Sequence, residues 1–206
     1  MNRGNAREEV FHKQDDFAAF VELFEPACER LPMRILGWAI MPNHFHLVLW
    51  PRHDGDLGRF MQWLLTSHVR RYHRHYGGSG HVWQGRFKAF PIERDEHLLT
   101  VLRYVERNPL RAGLVERAQD WSWSSLPART RRESAAWLAP SPVPLPTNWT
   151  ALVNRPETEA ELAALRVSAT RGTPFGNAAW QLLAARRLKL QSTLRPRGRP
   201  KNSAEK

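Results

Sequence analysis

Two short apolar runs, Ile35–Ile40 and Leu47–Trp50, are separated by only Met41-Pro42-Asn43-His44-Phe45-His46. Each run is too short for a helix and ends at turn residues, so the pair reads as two adjacent strands, Met33–Ile40 and Phe45–Trp50, joined by a tight Met41–His44 turn. On a strand, alternate residues share a face, roughly 6.6 Å apart along the chain. His44 and His46 then project side by side with Phe45 turned the other way, and two imidazoles so placed can share one metal ion.

A second His-x-His, His73-Arg74-His75, shows what the spacing alone is worth. It lies within Asp56–Tyr76, where Leu57, Phe60, Met61, Leu64, Leu65, His68 and Val69 follow a helical period. Residues two apart on a helix are turned about 200° from one another, so His73 and His75 cannot meet at one ion. The same histidine pair is a candidate site on a strand and a solvated basic helix end on a helix.

Other elements follow from periodicity and from the Gly and Pro positions. Asp15/Asp16 to Arg30 reads as a helix with acidic residues at its start, and Gly77-Gly78-Ser79-Gly80 ends the long helix. Val82–Ile92 reads as a strand, and Asp95–Asn108 as a helix capped by Asp95 and stopped by Pro109. The order helix, strand, strand, helix, strand, helix predicts an α+β fold: a ferredoxin-like antiparallel sheet with helices on one face and its first strand missing before Asn2. This unit covers residues 1–126. Residues 127–156 are rich in proline and read as a linker. In residues 157–192 two helices, Glu157–Thr170 and Asn177–Leu190, flank a Gly-containing turn, which fits a helix-turn-helix or a plain helical hairpin. Trp180, Leu183 and Ala184 are predicted to face inward. Residues 193–206 form a basic tail.

The formal net charge of +11 and the pI near 10.9 point to nucleic acid or an anionic surface as partner. Arg186, Arg187, Lys189, Arg195, Arg197, Arg199 and Lys201 carry much of that charge, with no acidic residue among positions 186–201. Arg195-Pro196-Arg197-Gly198-Arg199-Pro200 could lie in a narrow minor groove or touch phosphates without preference. Arg86 and Lys88 are further candidates for DNA backbone contact. No apolar run approaches the roughly 18 residues of a membrane span. The N-terminal residues hold no signal-peptide core, and the single cysteine, Cys28, forms no internal disulfide, so the expected location is cytoplasmic and nucleoid-associated.

Of three tyrosines, Tyr72 and Tyr76 read as packing or capping residues of their helix. Tyr104 lies four residues before Asn108, on the same helix face. A phenol and an amide oxygen on that face could meet an ion held by His44 and His46. A ligand set of two imidazoles and one amide, with positions left for phosphate oxygen, suits Mg²⁺ or Mn²⁺. The residues alone leave three readings open: a tyrosine nucleophile acting with a metal, a metal-dependent hydrolase using water, and a DNA-binding protein without chemistry.

Four blocks then occur in order: Asn2-Arg3-Gly4-Asn5-Ala6-Arg7, Met41-Pro42-Asn43-His44-Phe45-His46-Leu47, Trp83-Gln84-Gly85-Arg86-Phe87-Lys88, and Tyr104-Val105-Glu106-Arg107-Asn108-Pro109-Leu110-Arg111-Ala112-Gly113-Leu114-Val115. Together they resemble the REP-associated tyrosine transposases of the HUH single-strand transposase superfamily. The segments Thr173-Pro174-Phe175-Gly176 and 195–200 resemble the longer members. The resemblance implies cleavage and rejoining of single-stranded DNA at hairpin repeats through a 5′-phosphotyrosine. Tyr104 would be the nucleophile, and His44, His46 and Asn108 the ligands of Mg²⁺ or Mn²⁺. The partner would be single-stranded or hairpin DNA, and the protein a monomer or homodimer. A catalytically inactive, sequence-specific DNA-binding derivative of a transposase is the alternative. Family members carry a strand before the Asn-Arg-Gly-Asn segment, at which this sequence begins.

Overall fold

The computed structural model describes residues 1–130 and 136–195. Among them, strands β1 (Asn2–Arg3), β2 (Met33–Met41) and β3 (His44–Pro51) form one antiparallel sheet in the order β1-β3-β2. The helices are α1 (Gln14–Val21), α2 (Phe24–Arg30), α3 (Asp56–Tyr76), α4 (Glu96–Arg111), α5 (Ser125–Thr130), α6 (Trp149–Asn154), α7 (Glu159–Arg171), α8 (Ala178–Arg187) and α9 (Gln191–Leu194).

The β2–β3 hairpin forms as its apolar runs require. Alternation along β3 then gives the sheet two buried faces. Phe45 joins Ile35, Trp38 and Ile40 in a core with Phe17, Phe20 and Phe24 of α1 and α2 and Phe60, Met61 and Leu64 of α3. Val48 faces the other way, into a second core with Leu98, Val101, Leu102 and Val105 of α4. Helices therefore cover both faces of the sheet rather than one. The second layer depends on close approach. A Cβ at Gly37, beside the β2 bulge, would stand 2.5 Å from the Leu102 side chain.

The sheet's first position is held by β1, a two-residue strand in which Asn2 pairs with Phe45 and Arg3 with His44. The expected strand at Val82–Ile92 does not form as one element. Its start follows the free edge of the N-terminal segment: Asn5 N donates to Val82 O (2.9 Å), Gln84 N to Arg3 O (2.7 Å) and Lys88 N to Met1 O (2.9 Å). Its end pairs elsewhere, with Phe175 N donating to Pro91 O (2.8 Å) and Glu93 N to Phe175 O (2.9 Å). Gly85, at φ 65°, interrupts the extended run between Gln84 and Lys88.

Helix α4 also differs from expectation: it runs through Pro109 to Arg111. Proline removes one donor in the last turn but leaves the turn's geometry possible. The stop comes at Gly113, where φ is 71°. Gly113 N donates to Leu110 O (3.0 Å) and Leu114 N to Pro109 O (3.0 Å), closing the last carbonyls in a Schellman motif.

The C-terminal helices are attached to this unit. Trp149 and Val153 of α6, Leu165 of α7 and Phe175 share the second core with α4. On α8, Ala184 is buried, but Leu183 is 65% exposed rather than inward-facing, and Trp180 is half-buried. No described helix is long and apolar enough to cross a membrane.

The first core also buries a titratable group. His68 is 5% exposed among Phe11, Phe20 and Trp83, and its Nδ1 has no partner. Burial pushes its pKa from the ordinary 6.5 down to about 4. The unfolded chain takes up this proton near pH 6.5 and the fold only near pH 4, so stability falls as pH drops through that window. At pH 5 the cost from His68 is about 2 kcal/mol. Urea denaturation of His68→Phe at pH 7 and pH 5 should show a loss smaller by about that amount. An unchanged loss would place the acid sensitivity elsewhere.

Candidate active site

His44 and His46 emerge on the sheet face that meets α4, with ring centroids 5.1 Å apart. The hairpin turn orients the first of them. His44 Nδ1 lies 2.6 Å from Asn43 Oδ1, while Asn43 Nδ2 donates to Arg7 O at 3.1 Å. That second bond fixes the amide's orientation, so His44 Nδ1 carries the proton and Nε2 keeps its lone pair. Arg7 can present its carbonyl because Ala6 and Arg7 take left-handed conformations, with φ of 51° and 66°.

Both imidazoles are held neutral. Burial, then Arg3, with Arg111 also contributing, lowers the His44 pKa to about 4. His46 is pushed well below 6.5, first by burial, then by His44, Arg111 and Arg3 among the charges around it. Neutral imidazoles are the form that ligates metal, so both remain competent ligands well into acid.

Helix α4 brings Tyr104 over this face. Asp95 fixes the helix start by accepting from His97 N at 2.9 Å. Two turns on, the Tyr104 ring meets His46 edge-on, with centroids 5.9 Å apart. Asn108 is buried one turn beyond, its Nδ2 donating to Tyr104 O (3.0 Å) and its Oδ1 accepting from Arg111 Nη2 (2.7 Å). The Arg111 guanidinium also lies over the Tyr104 ring, 4.2 Å from its centroid. The chemical inventory is thus a phenol, two neutral imidazoles, an amide oxygen with one lone pair to spare, and two guanidiniums. Such a set can hold a phosphodiester beside a nucleophile.

The structure therefore sets Tyr104 against His46 and His46 against His44, and ties Asn108 to Tyr104 and Arg111. Lys88 lines the same apolar cavity of about 120 Å³ as His46 and Tyr104. Arg86 faces a different concavity, with Trp83 and Phe87. Arg186, Arg187 and Arg195 are exposed on the C-terminal helices and beyond them. Arg197, Arg199 and Lys201 lie outside the described residues. Tyr76 caps its own neighbourhood, its hydroxyl donating to Asp16 Oδ2 at 2.6 Å, and His73 and His75 make separate contacts with Gly80 and Lys13.

Three participants were not singled out by their own chemistry in the sequence: Asn43, Arg3 and Arg111. Asn43 adjoins His44 in a turn, where asparagine is common for backbone reasons. Arg111 sits in the last turn of its helix, where a basic residue is ordinarily a partner of the helix dipole. Only the fold shows Arg3 opposite His44.

Comparison with known proteins gives a consistent result. The family described as IS200-like transposases matches residues 1–108. A Haemophilus influenzae protein named for the REP-associated tyrosine transposases is 30% identical over 117 residues, covering 52% of this chain and 66% of that protein. The REP-associated tyrosine transposase of Escherichia coli K12 is 27% identical over 94 residues, covering 46% of this chain and 54% of that protein. This chain thus spans less than two thirds of the length of either relative. A solved REP-associated tyrosine transposase bound to a REP hairpin superposes with a TM-score of 0.51 at 21% identity, over 65% of this chain and 78% of that one. At that identity the structural likeness speaks for the fold. With a family match over more than half its length, the chain belongs to the IS200-like transposases.

Proposed function

We propose that this protein is a metal-dependent tyrosine transposase that cleaves and rejoins single-stranded DNA at hairpin repeats of the REP type. The observation that carries the proposal is the packing of Tyr104 against His46, itself beside a His44 whose Nε2 is left free. The names of the two curated relatives, and the hairpin bound by the solved one, support the choice of DNA as substrate.

In this reading Tyr104 Oη attacks the phosphorus of a phosphodiester. The P–O3′ bond breaks, the phenol gives up its proton, and the departing 3′ oxygen leaves as a hydroxyl. The product is a 5′-phosphotyrosine, and attack on it by a 3′-hydroxyl rejoins a strand. Arg111, stacked on the ring, holds Tyr104 in place. His44, His46 and Asn108 would hold Mg²⁺ or Mn²⁺, and their donor set of two imidazole nitrogens and one amide oxygen fits either ion. The bound ion would polarise the scissile phosphate. Asn43 keeps the His44 lone pair available for that role. Lys88, at the cavity shared with His46 and Tyr104, and Arg86 would contact the DNA backbone. Arg186, Arg187 and Arg195, with Arg197, Arg199 and Lys201, would add contacts at the C-terminal end.

The test is cleavage of a labelled hairpin oligonucleotide with a single-stranded flank, in Mn²⁺ and in EDTA. His44→Ala and His46→Ala should each lower the rate by on the order of 10² or more, as should EDTA, without abolishing binding. Cleavage that survives both substitutions would reject the metal role of the pair.

A further inference from the structure

The surroundings of the histidine pair are unlike those of a resident metal site. Among the described residues the one cluster of three or more His, Cys, Asp or Glu ligands is Glu93, Asp95 and His97, at the start of α4. Among the described residues, no Asp or Glu joins His44 and His46 in such a cluster. The carboxylates of the other cluster are already engaged, by His97 and by Asn177. The proposed ligands, two imidazoles and one amide oxygen, are all neutral donors.

The nearby fixed charges are positive. Arg3 is the cross-strand partner of His44, and directly opposed residues share a face with Cβ atoms about 5 Å apart. Arg111 lies over Tyr104, which in turn contacts His46. Arg3 Nε and Arg111 Nη1 are also buried without a hydrogen-bond partner. A buried donor that has lost water and gained no acceptor is destabilising until an acceptor arrives.

A dication alone must enter this site against two guanidiniums and leaves their donors unpaired. A dication accompanied by a phosphodiester brings anionic oxygens that neutralise the cluster and accept from those donors. We propose that the His44–His46–Asn108 site takes up its divalent ion only together with a phosphodiester, whose non-bridging oxygens accept from Arg3 and Arg111. The ion is then a component of the enzyme–DNA complex, not of the free protein. This inference rests on the function proposed above. Linkage makes the effect reciprocal: the factor by which DNA tightens metal binding equals that by which metal tightens DNA binding at the site.

The experiment is calorimetric titration of Mn²⁺ into the full chain carrying Tyr104→Phe, which blocks turnover. It is run with and without a saturating single-stranded hairpin oligonucleotide, and Mn²⁺ bound by the oligonucleotide alone is subtracted. The expected result is Mn²⁺ affinity on the order of tenfold to a hundredfold higher with DNA. His44→Ala should remove that tight binding. Arg111→Gln should raise the DNA-free affinity and shrink the gain from DNA, and Arg111→Lys, which keeps the charge, should retain most of the difference. Equal Mn²⁺ affinity with and without DNA, sensitive to His44→Ala, would overturn this inference and leave the proposed function standing. Mn²⁺ binding that is indifferent to His44→Ala in both conditions would overturn the inference and the metal reading together.

Discussion

Glu106→Ala should destabilise the protein by about 3–5 kcal/mol, a large share of the usual total stability of about 5–15 kcal/mol. Glu106 lies on α4 between Tyr104 and Asn108 and is fully buried. Its Oε1 accepts from Ser125 Oγ (2.5 Å) and Arg129 Nε (2.8 Å), and its Oε2 from Trp149 Nε1 (2.7 Å). Arg129 donates in addition to Leu36 O at the β2 bulge. One carboxylate thus ties α4 to β2, through Ser125, which accepts from Trp38 N (3.0 Å), and through Arg129, and to α6 through Trp149. Removing it strands a guanidinium in the interior, leaves the Trp149 indole without its acceptor, and leaves the Ser125 hydroxyl only the longer bond to Trp38 O (3.3 Å). Most of the cost should come from the stranded charge, because unpaired buried ions are far worse than absent ones. The double substitution Glu106→Ala with Arg129→Met should therefore be more stable than Glu106→Ala alone. Urea denaturation of the parent and both variants checks this. A single variant within about 1 kcal/mol of the parent would show that the network does not hold α4 in place.

The second large effect concerns chemistry rather than stability. Tyr104→Phe removes one oxygen from a half-buried ring that keeps its contacts with His46 and Arg111. Its hydroxyl has no hydrogen-bonding role in the fold among the described contacts, so the melting temperature should barely move. If the phenol is the nucleophile, covalent attachment to DNA should vanish, a loss limited only by detection, while hairpin binding remains. The contrast with Glu106→Ala is diagnostic: of two positions on one helix, one should cost stability and the other, in the proposed reaction, only the covalent step.

The parts of this molecule that were legible in its sequence are those set by local pattern. The β2–β3 hairpin follows from two apolar runs about a short turn, and α3 spans the predicted Asp56–Tyr76 because its apolar stripe and terminal glycines are both strong. The spacing of His44 and His46 puts them on one face of β3, and that of Tyr104 and Asn108 puts them on one face of α4, and the fold brings the Tyr104 ring against His46. What was not legible depends on partners remote in sequence. Residues 82–92 have the composition of a strand, but the start of the segment pairs with the N-terminal residues and its end with Phe175. Proline at 109 looked like a helix stop, yet packing of Val105 and Pro109 and the Gly113 cap carry α4 past it. Helices cover both faces of the sheet because β3 buries Val48 as well as Phe45, and no single strand reveals which of its faces a helix will meet. Glu106 carries no signal of its own in the sequence, because Ser125, Arg129 and Trp149 converge on it from 19 to 43 residues away.

In the proposed reaction Tyr104 is the residue that becomes bonded to DNA. The direct measurement is peptide mapping by mass spectrometry after incubating the protein with Mn²⁺ and a hairpin oligonucleotide carrying a single-stranded flank, followed by nuclease and protease digestion. The expected product is a nucleotide-bearing peptide whose modified residue is Tyr104, absent from Tyr104→Phe, from His46→Ala and from samples in EDTA. Cleaved DNA with no nucleotide on any peptide, or a nucleotide mapped to Tyr72 or Tyr76, would contradict it.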